Sequence, residues 1–298
     1  MAKTLRDLLV LPGIVAFILV LAMMPLVIQT AGPDGGSLAL VWKHGVDELK
    51  GYVEGFVTGE SFRFFSGRNE FSFWEQIGGY FRISFAYIAG GAVVGTTLGI
   101  LTGIAFAYSR SEWWKRAVEM TGVLPDFVLI ILLQFAIVQI AKETGTVLFK
   151  VANFSTDEPP AIVLPLVSMI VIPALYMTRN VALQLRLALT EDYIGNAKAK
   201  GLSKPYITFF HALPNVFPYI KADLHKFMSI LVGNLFIVEY FYNMRGITKL
   251  LFADAYMGYY GYQYDLVVNG LATLLVLYGA LFALLRLYIF GWEKVFAR

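Results

Sequence analysis

Hydrophobic positions along this chain are gathered into six blocks, at about 8–28, 83–108, 117–140, 161–178, 222–243 and 266–290, with polar stretches between them. Each block approaches the roughly 20 apolar residues that a helix needs to cross a bilayer. The pattern therefore predicts an all-α integral membrane protein with six transmembrane helices, organised as one domain over 1–298. The first block is longer than the apolar core of a cleaved signal peptide and is read as a span. The fifth is cleanly apolar only over 227–242 and reaches span length by extending back to Ala222. That extension brings Lys221, Asp223, His225 and Lys226 into the headgroup zone, where lysine stems can snorkel. Asp223 and Lys226 are three apart and could pair on one helix face. Two polar stretches stand out: an external loop over 29–82, with a short amphipathic helix expected near 47–57, and a loop over 190–218.

Composition supports the membrane assignment. The chain is 58% hydrophobic and 15% charged, with a mean hydropathy of +0.65, which sets it apart from soluble domains. A net charge of +3 without a dense basic cluster gives no nucleic-acid surface. Cysteine is absent, which excludes disulfides and thiolate metal sites, and His44, His211 and His225 are too scattered to suggest a metal centre.

Within the blocks, Gly91, Gly95, Gly99 and Gly103 are spaced four apart and form a small-residue stripe on which another helix can pack closely. Pro165 and Pro173 are expected to bend the fourth helix. Asp126 and Glu239 are ionisable residues inside predicted spans, which makes both functional candidates. For Asp126 the alternative is a wet vestibule near the basic turn at Arg110, Lys115 and Arg116. For Glu239 it is a carboxylate paired with Arg245 or with helix ends.

The 190–218 loop reads as two short helices. The first ends at Ala197-Lys198-Ala199-Lys200, with Gly201 placed for a left-handed stop. Ser203 can cap the second, with Pro205 in its first turn, and Pro214 and Pro218 are expected to disturb it. Helices this short are marginal alone, so their apolar residues Ile194, Ala197, Ile207, Phe210 and Leu213 are expected to dock on another protein.

Here the chain resembles the membrane subunits of binding-protein-dependent ABC importers, whose cytoplasmic loop carries Glu-Ala-Ala-x3-Gly-x9-Ile-x-Leu-Pro. Ala197, Gly201, Leu213 and Pro214 fall at that spacing, while Gly195, Asn196 and His211 depart from it. The run from Asp192-Tyr193 through Ala197, Lys200, Gly201 and Leu202 to His211-Ala212-Leu213-Pro214 is similar to the oligopeptide, dipeptide and nickel permease branch. Val238-Glu239 and Gly246-Ile247 also resemble that branch, although Arg245 and Thr248 replace its usual proline and glycine. The resemblance implies the importer permease fold with a coupling-helix loop, and no catalytic residue in this chain. It also implies the partners: a homologous second permease, two ATP-binding subunits holding ATP and Mg, and an extracytoplasmic substrate-binding protein.

Charge placement gives the orientation. The stretches 1–7, 109–116, 179–226 and 286–298 hold 15 of the 24 Lys and Arg residues, which places both termini and the coupling loop in the cytoplasm, and the resemblance implies a prokaryotic cell membrane. There is no Gly-x4-Gly-Lys-Ser/Thr phosphate loop, so a separate motor is expected. Peptides are the expected cargo, with nickel or another metal chelate as the alternative within the branch. An ion-gradient-driven secondary transporter is the alternative of a different class, and a membrane-embedded enzyme a third.

Overall fold

The computed structural model describes residues 2–31, 37–109, 125–153, 160–257 and 261–296, together with Trp113, Arg116 and Met120. Helix dominates. Helix α1 (Ala2–Val27) is followed by a hairpin of β1 (Ile28–Ala31) and β2 (Ser37–Leu40), then α2 (Trp42–Thr58). A second hairpin, β3 (Arg63–Ser66) with β4 (Asn69–Ser72), leads into α3 (Phe73–Tyr108). Next come α4 (Asp126–Thr144), α5 (Val163–Ala188), α6 (Asp192–Ala199), α7 (Lys204–Ile207), α8 (Leu213–Ala222) and α9 (Leu224–Phe241). A small hairpin, β5 (Tyr256–Met257) with β6 (Gly261–Tyr262), precedes α10 (Tyr264–Phe296).

Five helices among the described residues are long and apolar enough to cross a membrane: Phe73–Tyr108, Phe127–Thr144, Val163–Ala188, Leu224–Phe241 and Tyr264–Phe296. The apolar part of α1, Pro12–Val27, is shorter. Several boundaries differ from those expected. Helix α3 begins at Phe73, taking in ten residues assigned above to the external loop, because β4 hands directly into it. Helix α5 continues through Pro173 and ten residues past Thr178, to Ala188, so Arg179, Asn180 and Arg186 are helical. Within the third block Met120 is helical, and a helix starts at Asp126 with Pro125 in extended conformation as its N-cap. Pro125 therefore starts this helix, where its missing N–H costs no bond, and most of 117–124 lies outside the described residues.

Packing divides the chain into two compact units, Met1–Ile83 with Arg245–Leu277, and Ser84–Met244 with Tyr278–Arg298. In the first unit α2 lies against α1 at Gly45, where a Cβ would come within 2.2 Å of the Met23 side chain. Trp42, Val53, Phe56 and Val57 of α2 are exposed. Polar side chains tie the loops together. Tyr52 Oη donates to Asn269 Oδ1 at 2.9 Å, Asn269 Nδ2 to the Ser61 carbonyl at 2.7 Å, and Ser61 Oγ to the Tyr52 carbonyl at 2.9 Å. Gln263 accepts from Phe65 N at 2.7 Å and donates to the carbonyls of Phe65 and Asp254 at 2.8 and 2.5 Å.

The second unit is built differently. Gly91, Gly95, Gly99 and Gly103 all face α5, and a Cβ on Gly99 would stand 2.4 Å from Met177 Cβ. The backbones meet there without intervening side chains, so dispersion contacts supply the attraction. Helix α5 meets α9 through buried polar groups: Asn234 Nδ2 donates to the Ser168 carbonyl at 3.1 Å, and Ser168 Oγ lies 2.9 Å from Tyr242 Oη. Gln134 of α4 donates to the carbonyls of Val151 and Phe241, fixing the end of α9.

Candidate functional site

The polar run after α5 folds as a helical hairpin. Asp192 opens α6, where a negative charge suits the exposed N–H groups of the first turn. The helix stops at Gly201, with φ +76°. Leu202 N donates to the Ala197 carbonyl and Gly201 N to that of Lys198, the two bonds of a Schellman ending. Ser203 then precedes α7 in extended conformation, with Pro205 in the first turn and no side-chain cap bond.

The second arm departs from expectation. It is helical without a break from Lys204 to Ala222, because α7 passes through a π turn at Thr208–Ala212 into α8. Pro214 lacks an N–H and its ring crowds the carbonyl four residues back, and a local i→i+5 turn widens the helix there. Pro218 sits inside α8 without ending it. The second arm is thus longer than the marginal helix expected from the proline positions.

Its buried face also differs from expectation. Ile194, Ala197, Ile207 and Leu213 are buried against this same chain, and Phe210 is half-buried. They seat the hairpin and are not free for another protein. The outer face is polar and aromatic: Asp192, Tyr193, Lys198, Lys200, Lys204 and Tyr206 are exposed, as is Gly201. Leu202 and His211 are half-buried, and Ala212 is buried with Leu213.

One contact joins the helix ends beneath the hairpin, and three hold the hairpin on them. Arg186 of α5 donates to the carbonyls of Phe106 and Ala107 at 3.0 and 3.4 Å, satisfying last-turn acceptors of α3 that have no partner within the helix. Its guanidinium also lies 5.3 Å from the Phe106 ring centroid. Tyr108 hydrogen-bonds Thr208 in the π turn. Phe209 and Phe217 stack on Phe296 near the end of α10, with centroids 5.6 and 6.4 Å away. Lys221 of α8 pairs with Glu293 of α10. Within the hairpin, Asn215 Nδ2 donates to Tyr193 Oη at 3.1 Å and to the His211 carbonyl at 2.8 Å, joining the two arms. Burial pushes the Tyr193 phenol above its ordinary pKa, a rise that the Asn215 bond partly offsets, so it remains a neutral hydroxyl.

Charge–aromatic contacts at Arg186 and stacking on Phe296 were not foreseen from sequence. Neither residue belongs to the loop, and no spacing rule connects 186 to 106 or 217 to 296. Asn215, adjacent to Leu213-Pro214, was visible as part of the run but not as the bridge.

Glu239 is 2% exposed near the end of α9. It accepts from Ser84 Oγ of α3 at 2.5 Å, and Ser84 is itself fully buried. A buried carboxylate held by a hydroxyl couples α3 to α9, since a buried acceptor left unmade is costly. Asp126 is the first residue of α4, not an interior one, and its side chain lies outside the described residues. Asp223 and Lys226 form no ion pair with each other: Asp223 instead binds Tyr176 and Asn180, and Lys226 lies over the Tyr176 ring.

Residues 95–298 match the family described as binding-protein-dependent transport system inner membrane component. The chain is 29% identical over 175 residues to the dipeptide transport system permease protein DppB of Bacillus subtilis, covering 57% of this chain and 54% of that protein. It is 25% identical over 164 residues to a putative peptide transport system permease protein of Brucella abortus, covering 52% and 51%. With the glutathione transport system permease protein GsiC of Salmonella choleraesuis it shares 27% over 158 residues, 51% and 49%. The chain thus spans about half the length of the curated relatives it matches. With the family match covering more than half of its residues, this chain belongs to the binding-protein-dependent transport system inner membrane components, a family of multi-pass permeases and not of enzymes.

Proposed function

We propose that this chain is the permease subunit of an ABC importer for short peptides in a prokaryotic cell membrane, forming half of the translocation pathway. Relatives named for dipeptide, peptide and glutathione transport support the cargo class. The observation that carries the coupling role is the α6–α8 hairpin, seated on the ends of α3, α5 and α10 with a polar, tyrosine-bearing face turned outward. A partner that pushes on that face moves three membrane helices at once, through Tyr108 of α3, Phe296 of α10 and the packing of α8 on α5. Basic residues favour the cytoplasmic side for the hairpin and both termini. ATP and Mg belong to two partner ATPase subunits, with a homologous permease completing the pathway and a binding protein delivering substrate from outside. Closure of the ATPase pair then drives alternating access.

The test uses proteoliposomes holding the complete importer. Lys198→Glu combined with Lys200→Glu changes only exposed groups. Uptake is expected to fall at least about tenfold, roughly 1.4 kcal/mol of lost coupling, with insertion and thermal stability unchanged. Unaltered uptake overturns the coupling role.

A further inference from the structure

A cavity of about 530 Å³ opens between α5, α8 and α9, at the start of α9. Its volume lies within the range of small-molecule sites, roughly 300–1,000 Å³. Three charged residues line it, Arg179, Asp223 and Lys226, and the acid and Lys226 are kept from each other. Asp223 stands between α8 and α9, outside either helix, and its carboxylate is fixed by Tyr176 Oη and by Asn180 Nδ2 at 2.9 Å. Both of those bonds end on Oδ2, and Oδ1 accepts no hydrogen bond from the described residues. Lys226 has no carboxylate partner among them. Its ammonium lies 5.4 Å from the centroid of the Tyr176 ring, a contact that uses the charge and spends none of its three N–H donors on an acceptor.

Acid and base three residues apart would ordinarily close on each other. Here Tyr176 and Asn180 hold the acid back, leaving an open acceptor and an open cation on one wall. Leu183 and Ala222 add apolar surface, Gln184 and Tyr219 add neutral polar groups, and Arg179 adds a second cation that favours the carboxylate end. We propose that this cavity is a subsite for the two charged ends of a zwitterionic short peptide. Asp223 Oδ1 accepts from the α-ammonium, Lys226 donates to the α-carboxylate, and Tyr176 and Asn180 are positioning residues. An extended dipeptide spans about 7 Å from end to end. Recognition of the ends alone tolerates any side chains, which suits a passage for many peptides. The inference deepens the peptide-class reading above and rests on it for the choice of ligand.

The experiment measures binding to the full chain in lipid nanodiscs, without ATPase subunits, by saturation-transfer NMR. The probes are dialanine, N-acetyl-dialanine and dialanine amide. Dialanine is expected to bind saturably in the millimolar range, with either blocked form about tenfold weaker. Asp223→Asn, which keeps an oxygen for Tyr176 and Asn180, should erase the penalty for acetylation while keeping the penalty for amidation. Lys226→Gln, at an exposed position, should do the reverse. That crossed pattern cannot come from a purely structural role. Equal binding of blocked and free dipeptides, or no saturable dialanine binding, overturns the subsite. Because no ATPase is present, such a failure beside intact coupling leaves the importer reading standing, whereas lost coupling beside the crossed pattern does the opposite.

Discussion

Residues 28–72 and the pairing of α3 with α5 are held together by opposite means. The first region is short hairpins and one amphipathic helix, fastened by polar side chains that reach the backbone of distant segments: Gln263 to Phe65, Asn269 to Ser61. The second carries polar links only toward one end, Thr102 with Thr178 at 2.6 Å and Arg186 on the Phe106 and Ala107 carbonyls, and its two backbones lie in contact at Gly91, Gly95, Gly99 and Gly103. In water, loops must satisfy their backbone groups one by one, and a few side chains can do that cheaply. In hydrocarbon there is no hydrophobic drive between helices, so closeness of approach supplies the attraction. One design concentrates stability in a few hydrogen bonds, and the other spreads it over a surface.

The comparison is open to test, from the largest effect downward. Gln263→Leu removes three hydrogen bonds and strands the Asp254 and Phe65 carbonyls. A loss of roughly 3 kcal/mol is expected at about 1 per bond, seen as faster amide exchange over 63–72, with Gly99 and Met177 as protected as before. Loss of protection at both places would erase the contrast. Gly99→Ala places a Cβ 2.4 Å from Met177 Cβ and 2.9 Å from the Ala174 carbonyl. It should cost about 2 kcal/mol, within the range for overpacking, measured by thermal unfolding in detergent. Gly233→Ala in α9, where a Cβ meets nothing within 4 Å, serves as its control and should gain up to about 1 kcal/mol.

A pH dependence sharpens the first region. Burial raises the Asp254 pKa, with the Ser66 hydroxyl at 2.9 Å and Lys249 opposing the rise. The folded pKa therefore lies above the unfolded one. Stability from this group is fully present below the ordinary carboxylate pKa, about 3.9, and is lost as pH rises through the folded value. Asp254→Asn should flatten that slope and stabilise the region modestly at neutral pH. A steeper slope in the variant would contradict the assignment.

The two regions also differ in how far the sequence revealed them. The glycine stripe repeats every four residues, a helical period that names one face, though its partner α5, beyond α4 in the chain, was not named by it. Gly201 was equally legible, since a glycine after Lys-Ala-Lys signals a left-handed stop. Gln263, Asn269, Tyr52 and Ser61 gave no such sign. Their partners lie about two hundred residues away in three of the bonds, and a lone amide carries no period. The hairpin shows a third case. The spacing of Ile194, Ala197, Ile207 and Leu213 told that a face is buried, but periodicity cannot tell against what, and the partner proved to be this chain. The prolines misled because a π turn absorbs Pro214 without a break.

The central claim is that the outer face of the α6–α8 hairpin grips a separate motor. Because the chain has no cysteine, a single Ser203→Cys places one thiol on that face, and Val57→Cys, at a residue 87% exposed in α2, gives a control. In membranes holding the whole importer, a short bifunctional cross-linker should join position 203, and not 57, to the ATP-hydrolysing subunit. Absence of that adduct, while the ATPase still co-purifies with the chain, would contradict the account.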